Sequence, residues 1–317
     1  MAMYEGRPLP RPEEELVDQG LGFDLGTMAR RRQVLRAFGL GAVALGLGAC
    51  GDGDGDGDGD GDDSPAVTTS ESNTVGEIPD ETAGPYPGDG SNGPNVLTES
   101  GVVRSDIRSS FGDSTTTAEG VPMTLTLDIK DLANSGAAFA NVAVYVWHCN
   151  RAGEYSLYSE GITNENYLRG VQIADSAGRV TFTSIFPACY SGRWPHIHFE
   201  IYPSQADITD AANAIATSQV AMPQAACETV YATSGYEDSV TNLAQVSLDS
   251  DNVFGEDSGA GQLATVSGDV TAGFAVSLVV GVDTTTTPTG GQLSGDGAPS
   301  GAPMGSGGPG GPPPSGP

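Results

Sequence analysis

Apolar and polar residues alternate from Met123 to Ile129, with Leu125 and Leu127 between them. That period of two predicts a strand with one buried face. Residues 142–147 read VAVYVW, a β-branched and aromatic run that predicts a strand buried on both faces. Residues 179–185, RVTFTSI, follow the turn Asp175-Ser176-Ala177-Gly178, and residues 274–282, FAVSLVVGV, read as a closing strand. Helical pattern is sparse. It is confined to about 205–216 and 223–233, the second opened by Pro223. Short strands separated by Gly, Asp and Asn turns predict a mainly β fold, a sandwich of mixed or antiparallel strands with few short helices.

Composition limits where that fold lies. The chain has 317 residues. Residues 51–74 begin with an alternating Asp-Gly run, and 288–317 are mostly Gly, Pro and Ser. Neither stretch carries enough apolar surface to offset the entropy of ordering, so both are expected to be disordered. The folded domain is expected over 75–287. The net charge of −28 leaves nothing to neutralise phosphates, which excludes nucleic acid as a partner class.

Residues 1–50 read as an extension plus an export signal. Arg30, Arg31 and Arg32 precede a short apolar, Gly-rich run ending in Leu47-Gly48-Ala49-Cys50. The run is too short for a membrane span, and its basic flank and small residues fit an export signal. The arginines resemble the twin-arginine type. The ending resembles a lipobox, which makes Cys50 the candidate lipidation site and the Asp-Gly run a tether. The expected location is the cell envelope or outside the cell, with membrane contact only through the signal or lipid. Met28, just before the arginines, is an alternative start to Met1. In an exported chain, Cys149, Cys189 and Cys227 are expected to give one disulfide and one spare thiol.

The chemistry concentrates in PACYSGRWPHIHFEIY, residues 187–202. On a strand, His196, His198 and Glu200 share one face, and Ile197, Phe199 and Ile201 face the core. His-x-His on a strand is a bidentate metal clamp; the bland alternative is two satisfied histidines on a polar face. Tyr190 and Arg193 stand just upstream. A tyrosine beside a ferric ion becomes a hard oxygen ligand, and a nearby arginine lowers its pKa and holds an anionic substrate. Imidazole with phenolate suits Fe(III) better than Zn(II) or Cu(I).

Three blocks together resemble the intradiol ring-cleavage dioxygenases, the family of protocatechuate 3,4- and catechol 1,2-dioxygenase. They are ETAGPYPGD (81–89), VYVWHCNRAGEYS (144–156) and YLRGVQIADSAGRVTFTSIFPACYSGRWPHIHFEIY (167–202). The resemblance implies one mononuclear Fe(III) held by Tyr155, Tyr190, His196 and His198. It implies that Tyr190 leaves the metal when a catecholate chelates it, that Arg193 stabilises the activated substrate, and that Gln219 lies near the substrate. The implied partners are a catechol-type aromatic and O2, and the implied product is a cis,cis-muconate. PACY departs from the family's PG-x-Y, with Ala188 in the glycine position. The short Tyr190–His196 gap and the absence of a helical dimerisation segment resemble the exported, single-domain branch and carry over no oligomeric state. Two other readings compete: a non-enzymatic, surface-anchored binding sandwich, and a copper or zinc protein built on His-x-His alone.

Overall fold

In the computed structural model, residues 75–288 are described, together with the backbone of Met3–Tyr4 and Arg7–Pro8. The chain divides into two units, Met1–Thr69 and Ser70–Pro317. In the first, Met3–Tyr4 pairs antiparallel with Arg7–Pro8. The arginine signal, Cys50, the Asp-Gly tether and the Gly/Pro/Ser tail lie outside the described residues.

The second unit is built from two sheets. The first contains β1 (Pro122–Asp131), β2 (Ala137–Ala138), β5 (Arg179–Ile185), β8 (Thr265–Asp269) and β9 (Gly273–Val282). Strand β1 lies at its centre, parallel to β9 and antiparallel to β5 and β2, and β8 pairs with β9. The second sheet runs in the order β4 (Arg169–Ile173), β3 (Ala143–Trp147), β6 (His196–Tyr202), β7 (Ala216–Ala221), all antiparallel. The expected mainly β architecture is the observed one.

Alternation places the core. Leu125, Leu127 and Ile129 of β1, with Val276, Leu278 and Val280 of β9, join one apolar cluster with Val144, Val146, Ile197, Phe199 and Ile201 of the second sheet. The prediction for β6 holds, and His196, His198 and Glu200 take the opposite face. The predicted double burial of 142–147 also holds, because the outer face of the second sheet is itself covered. The cover is the segment around residues 81–88. Glu81 N–H donates to Thr217 O at 2.7 Å, and Tyr145 Oη donates to Pro87 O at 2.7 Å.

One of the two helical expectations needs correction. The stretch 205–216 is no helix. It makes two single 3-10 turns, Gln205–Asp207 and Ala211–Asn213, and then enters β7. Ser204 and Asp210 each accept a backbone N–H from two residues on, capping a turn that nothing prolongs. The second expectation is met by α1 (Gln224–Tyr231), but α2 (Glu237–Leu243) has no signal in the sequence. Ser239 is its one buried residue, so no apolar stripe marks it.

The expected disulfide is not formed: Cys149, Cys189 and Cys227 are buried free thiols. Burial pushes Cys149 and Cys189 up to about 12, so they remain neutral and pack as small apolar groups.

Candidate metal centre

One row of the second sheet supplies most of the site. Arg169 on β4 stands opposite Trp147 on β3, Trp147 opposite His198 on β6, and His198 opposite Gln219 on β7. Directly opposed residues share a face. Trp147 therefore stacks on the His198 imidazole, with ring centroids 4.8 Å apart and planes 5° apart. Gly84 of the covering segment closes the other approach. It sits at φ +71°, and a Cβ there would stand 3.4 Å from His198 Cε1.

His196 lies one row along the same face. Its Nδ1–H donates to Trp194 O at 2.5 Å, which leaves Nε2 as a bare lone pair. That nitrogen lies 3.0 Å from His198 Nε2 and 3.2 Å from Tyr190 Oη. Tyr155 joins from the turn after β3. Its ring centroid is 5.9 Å from that of Tyr190 and 6.3 Å from that of His198. Gly153, at φ +84°, makes that turn: a Cβ there would come within 3.1 Å of Tyr190 Cβ. Helix α2 holds the Tyr190 loop from behind. Cys189 N–H donates to Ser239 Oγ at 3.0 Å, and Asn242 Nδ2 donates to Cys189 O at 2.9 Å.

The sequence-derived residues Tyr155, Tyr190, His196 and His198 thus converge. Among the four, Tyr190 alone is not fully buried. Tyr155 Oη is buried without a hydrogen-bond partner, and so is His198 Nδ1. Burial, and then the Tyr190 phenol, push Tyr155 well above the usual tyrosine range. Tyr190 is pushed up to about 12 by burial, against the lowering effect of Arg193. Arg193 lowers this phenol's pKa, as expected, but burial outweighs it. Burial also holds His196 down to about 3 and His198 well below 6.5, so both imidazoles are neutral donors.

A metal ion fits this set. Two donors about 2.1 Å from a shared ion and at right angles lie about 3.0 Å apart, close to the spacing of the two Nε2 atoms. The unpartnered Tyr155 Oη supplies a further oxygen. Neutral imidazoles with phenols that only a strong cation would ionise make a hard, mixed N/O set. Among the described residues no group of three or more His, Cys, Asp or Glu is arranged to hold a metal ion.

Arg193 and Gln219 also meet here. Arg193 Nη2 donates to Gln219 Oε1 at 2.7 Å, and Gln219 Nε2 donates to Thr82 O at 2.9 Å. Gln219 is fully buried with both ends of its amide bonded, so it joins the site through Arg193. Sequence reasoning missed the main partner of Arg193, Asp251, whose carboxylate accepts from Nε at 2.9 Å. Its surroundings, SLDSDNVFGED, read as a solvated loop. Glu200 continues the histidine face and accepts from Tyr202 Oη at 2.7 Å.

The third histidine, His148, stays outside. Nδ1–H donates to Cys149 O at 2.8 Å, and Ser184 Oγ donates to Nε2 at 2.7 Å. Burial lowers its pKa to about 4 from 6.5. A depressed folded-state value contributes stability that is present above 6.5 and is lost as pH falls toward about 4. His196 and His198 shift in the same sense, so H148N should flatten only part of the acid limb in urea titrations of metal-free protein. An unchanged limb would contradict the assignment.

Residues 93–209 match a family model described as Dioxygenase. No curated protein matches the sequence. Among solved structures, an intradiol ring-cleavage dioxygenase from Tetranychus urticae aligns at 21% identity, over 68% of this chain and 98% of that one, with a TM-score of 0.51. A second structure, of dioxygenase Tetur07g02040, aligns at 20% identity over the same shares, with a TM-score of 0.54. At these identities the likeness is one of fold. The chain is therefore similar to the intradiol ring-cleavage dioxygenases in fold, and to a dioxygenase family in sequence across the stretch that carries Tyr155, Tyr190, Arg193, His196 and His198.

Proposed function

We propose that this chain is a non-haem iron(III) intradiol dioxygenase. It opens a catechol-type ring with O2 between the two hydroxyl-bearing carbons, and both oxygen atoms enter a cis,cis-muconate-type product. The observation that carries this reading is the convergence of Tyr155, Tyr190, His196 and His198 on one covered sheet face, with the Arg193 guanidinium beside them.

Those four residues would hold one ferric ion. When bound, the ion supplies Lewis acidity toward the catechol oxygens and makes the ring reactive toward O2. The rest falls to the protein. Tyr190, the least buried donor, is the one we assign to give way to substrate, with Oη accepting a proton from the catechol. Trp194 O and the Trp147 stack fix the two imidazoles before substrate arrives. The guanidinium of Arg193 stabilises negative charge as it develops on the ring. The segment through Gly84 and Tyr86 shields the centre from water. We assign the activity to the cell envelope, on the strength of the twin-arginine-like signal and Cys50.

The test is a visible absorption spectrum of the purified protein with iron quantified alongside, before and after anaerobic catechol, and then product analysis once O2 is admitted. The expected result is a broad tyrosinate band that moves to longer wavelength with catechol, followed by a muconate. Protein that stays colourless after iron reconstitution would sink the reading and favour the binding sandwich.

A further inference from the structure

The loop that follows α2 reaches back into the site at one point, Asp251. Its side chain is 0% exposed, and five N–H groups converge on it. Oδ2 accepts from Arg193 Nε at 2.9 Å and from Trp194 N at 2.6 Å. Oδ1 accepts from Val253 N at 2.8 Å, Phe254 N at 3.1 Å and Arg193 Nη2 at 3.4 Å. With Gln219 on Nη2 as well, the guanidinium is gripped at two of its three nitrogens. Nη1 has no hydrogen-bond partner among the described residues.

We propose that Asp251 is the positioning residue for Arg193, fixing the guanidinium so that its remaining donors face the substrate ring. The inference rests on the dioxygenase reading above and adds a residue to it. A long arginine side chain has about 2 kcal/mol of rotamer entropy to lose. An arginine meant to meet charge only at the moment of reaction must be ordered beforehand. Gln219 alone supplies one neutral acceptor. Asp251 supplies a charged one, buried and itself locked by the Val253 and Phe254 amides, which belong to its own loop. The carboxylate therefore cannot follow the arginine if the arginine moves; it dictates where the arginine stays.

D251N keeps the size of the side chain and one oxygen acceptor, which can still serve the Val253 and Phe254 amides of its own loop. In the iron-loaded protein, iron content and the visible band should stay within about twofold of wild type, while kcat falls by about 100-fold, the scale of a displacement of about 1 Å at a reacting centre. R193Q should lose a similar factor. The deciding measurement is D251N placed in the R193Q background. If Asp251 acts through Arg193, the second substitution costs less than about twofold more, because acting as a unit makes the effects non-additive. A further loss of about 100-fold in that background overturns the proposal and makes Asp251 a residue of general structure.

The same four proteins without metal give a second readout in urea. The two substitutions should couple by about tenfold or more in the folding equilibrium constant, since each alone strands a buried partner. Additive effects there refute the pairing itself. If wild type shows no ring cleavage at all, the dioxygenase reading fails by that result, and the metal-free cycle still judges the Asp251–Arg193 unit separately.

Discussion

Tyr155→Phe should abolish most metal binding and colour while leaving the metal-free fold as stable as before, or more so. The two halves of this expectation come from one atom. Tyr155 is 2% exposed, and its Oη has no hydrogen-bond partner. A buried hydroxyl without a partner costs about 1–3 kcal/mol. Phenylalanine removes that cost and keeps the ring packing against Tyr86 at 5.0 Å, Tyr190 at 5.9 Å and His198 at 6.3 Å. In the loaded protein the same oxygen would be a ligand, and its loss should weaken iron binding by at least about tenfold, since outer partners alone reach that scale. The metal-induced rise in Tm should shrink with it.

Tyr236→Phe is the contrasting control. Tyr236 Oη donates to Phe186 O at 2.7 Å and accepts from Val121 N at 3.1 Å, far from any proposed ligand role. Its loss should destabilise the fold by about 1–3 kcal/mol and leave the visible band untouched. Thermal melts with and without iron, paired with spectra, separate the two variants. Retained iron and colour in Y155F would remove Tyr155 from the ligand set and with it the main support for the ferric reading.

Much of the centre was legible because strands broadcast their faces. His196 and His198 two apart, with Ile197, Phe199 and Ile201 between and beyond them, fix which side is core. Gly153 and Tyr155 carry a turn that only glycine makes without strain. What the sequence hid lies where no period operates. Asp251 is 58 positions from Arg193, in a run of Asp and Ser that reads as solvent-facing. Helix α2 buries too little to show a stripe, yet it anchors the Tyr190 loop through Ser239 and Asn242. The net pKa of Tyr190 was hidden for the same reason. A neighbouring arginine is visible in sequence, but the depth of burial that outweighs it is not. Arginine normally marks a surface, and that prior concealed the residue that ties the cover to the sheet.

That residue is Arg169, 1% exposed, and its removal should be the largest single loss of stability in the domain. Its guanidinium makes five hydrogen bonds, all to neutral oxygens. Nε donates to Ser156 Oγ at 3.0 Å; Nη1 donates to Pro87 O at 2.7 Å and Tyr145 Oη at 3.1 Å; Nη2 donates to Tyr86 O and Ser156 O, both at 2.9 Å. The carbonyls belong to two different segments, the cover over the metal face and the residue after Tyr155. One planar fork joins both to β4. R169A leaves the Tyr86 and Ser156 carbonyls unpaired, each at a cost of about 1–3 kcal/mol, takes one partner from Pro87 O, Tyr145 Oη and Ser156 Oγ, and opens a cavity beneath Gly88. The total should exceed about 4 kcal/mol, the range reserved for broken buried networks. R169K keeps the charge but cannot span the fork and should fall between, at about 2–3 kcal/mol. Urea unfolding of the metal-free variants measures both. Limited proteolysis of R169A should cut within residues 84–92 before the rest of the domain is attacked, because the cover loses its tie while the sheets persist. A loss below about 1 kcal/mol with no change in proteolysis would mean that the cover is held elsewhere, by Gln219 on Thr82 and Tyr145 on Pro87, and that the buried guanidinium merely fills space.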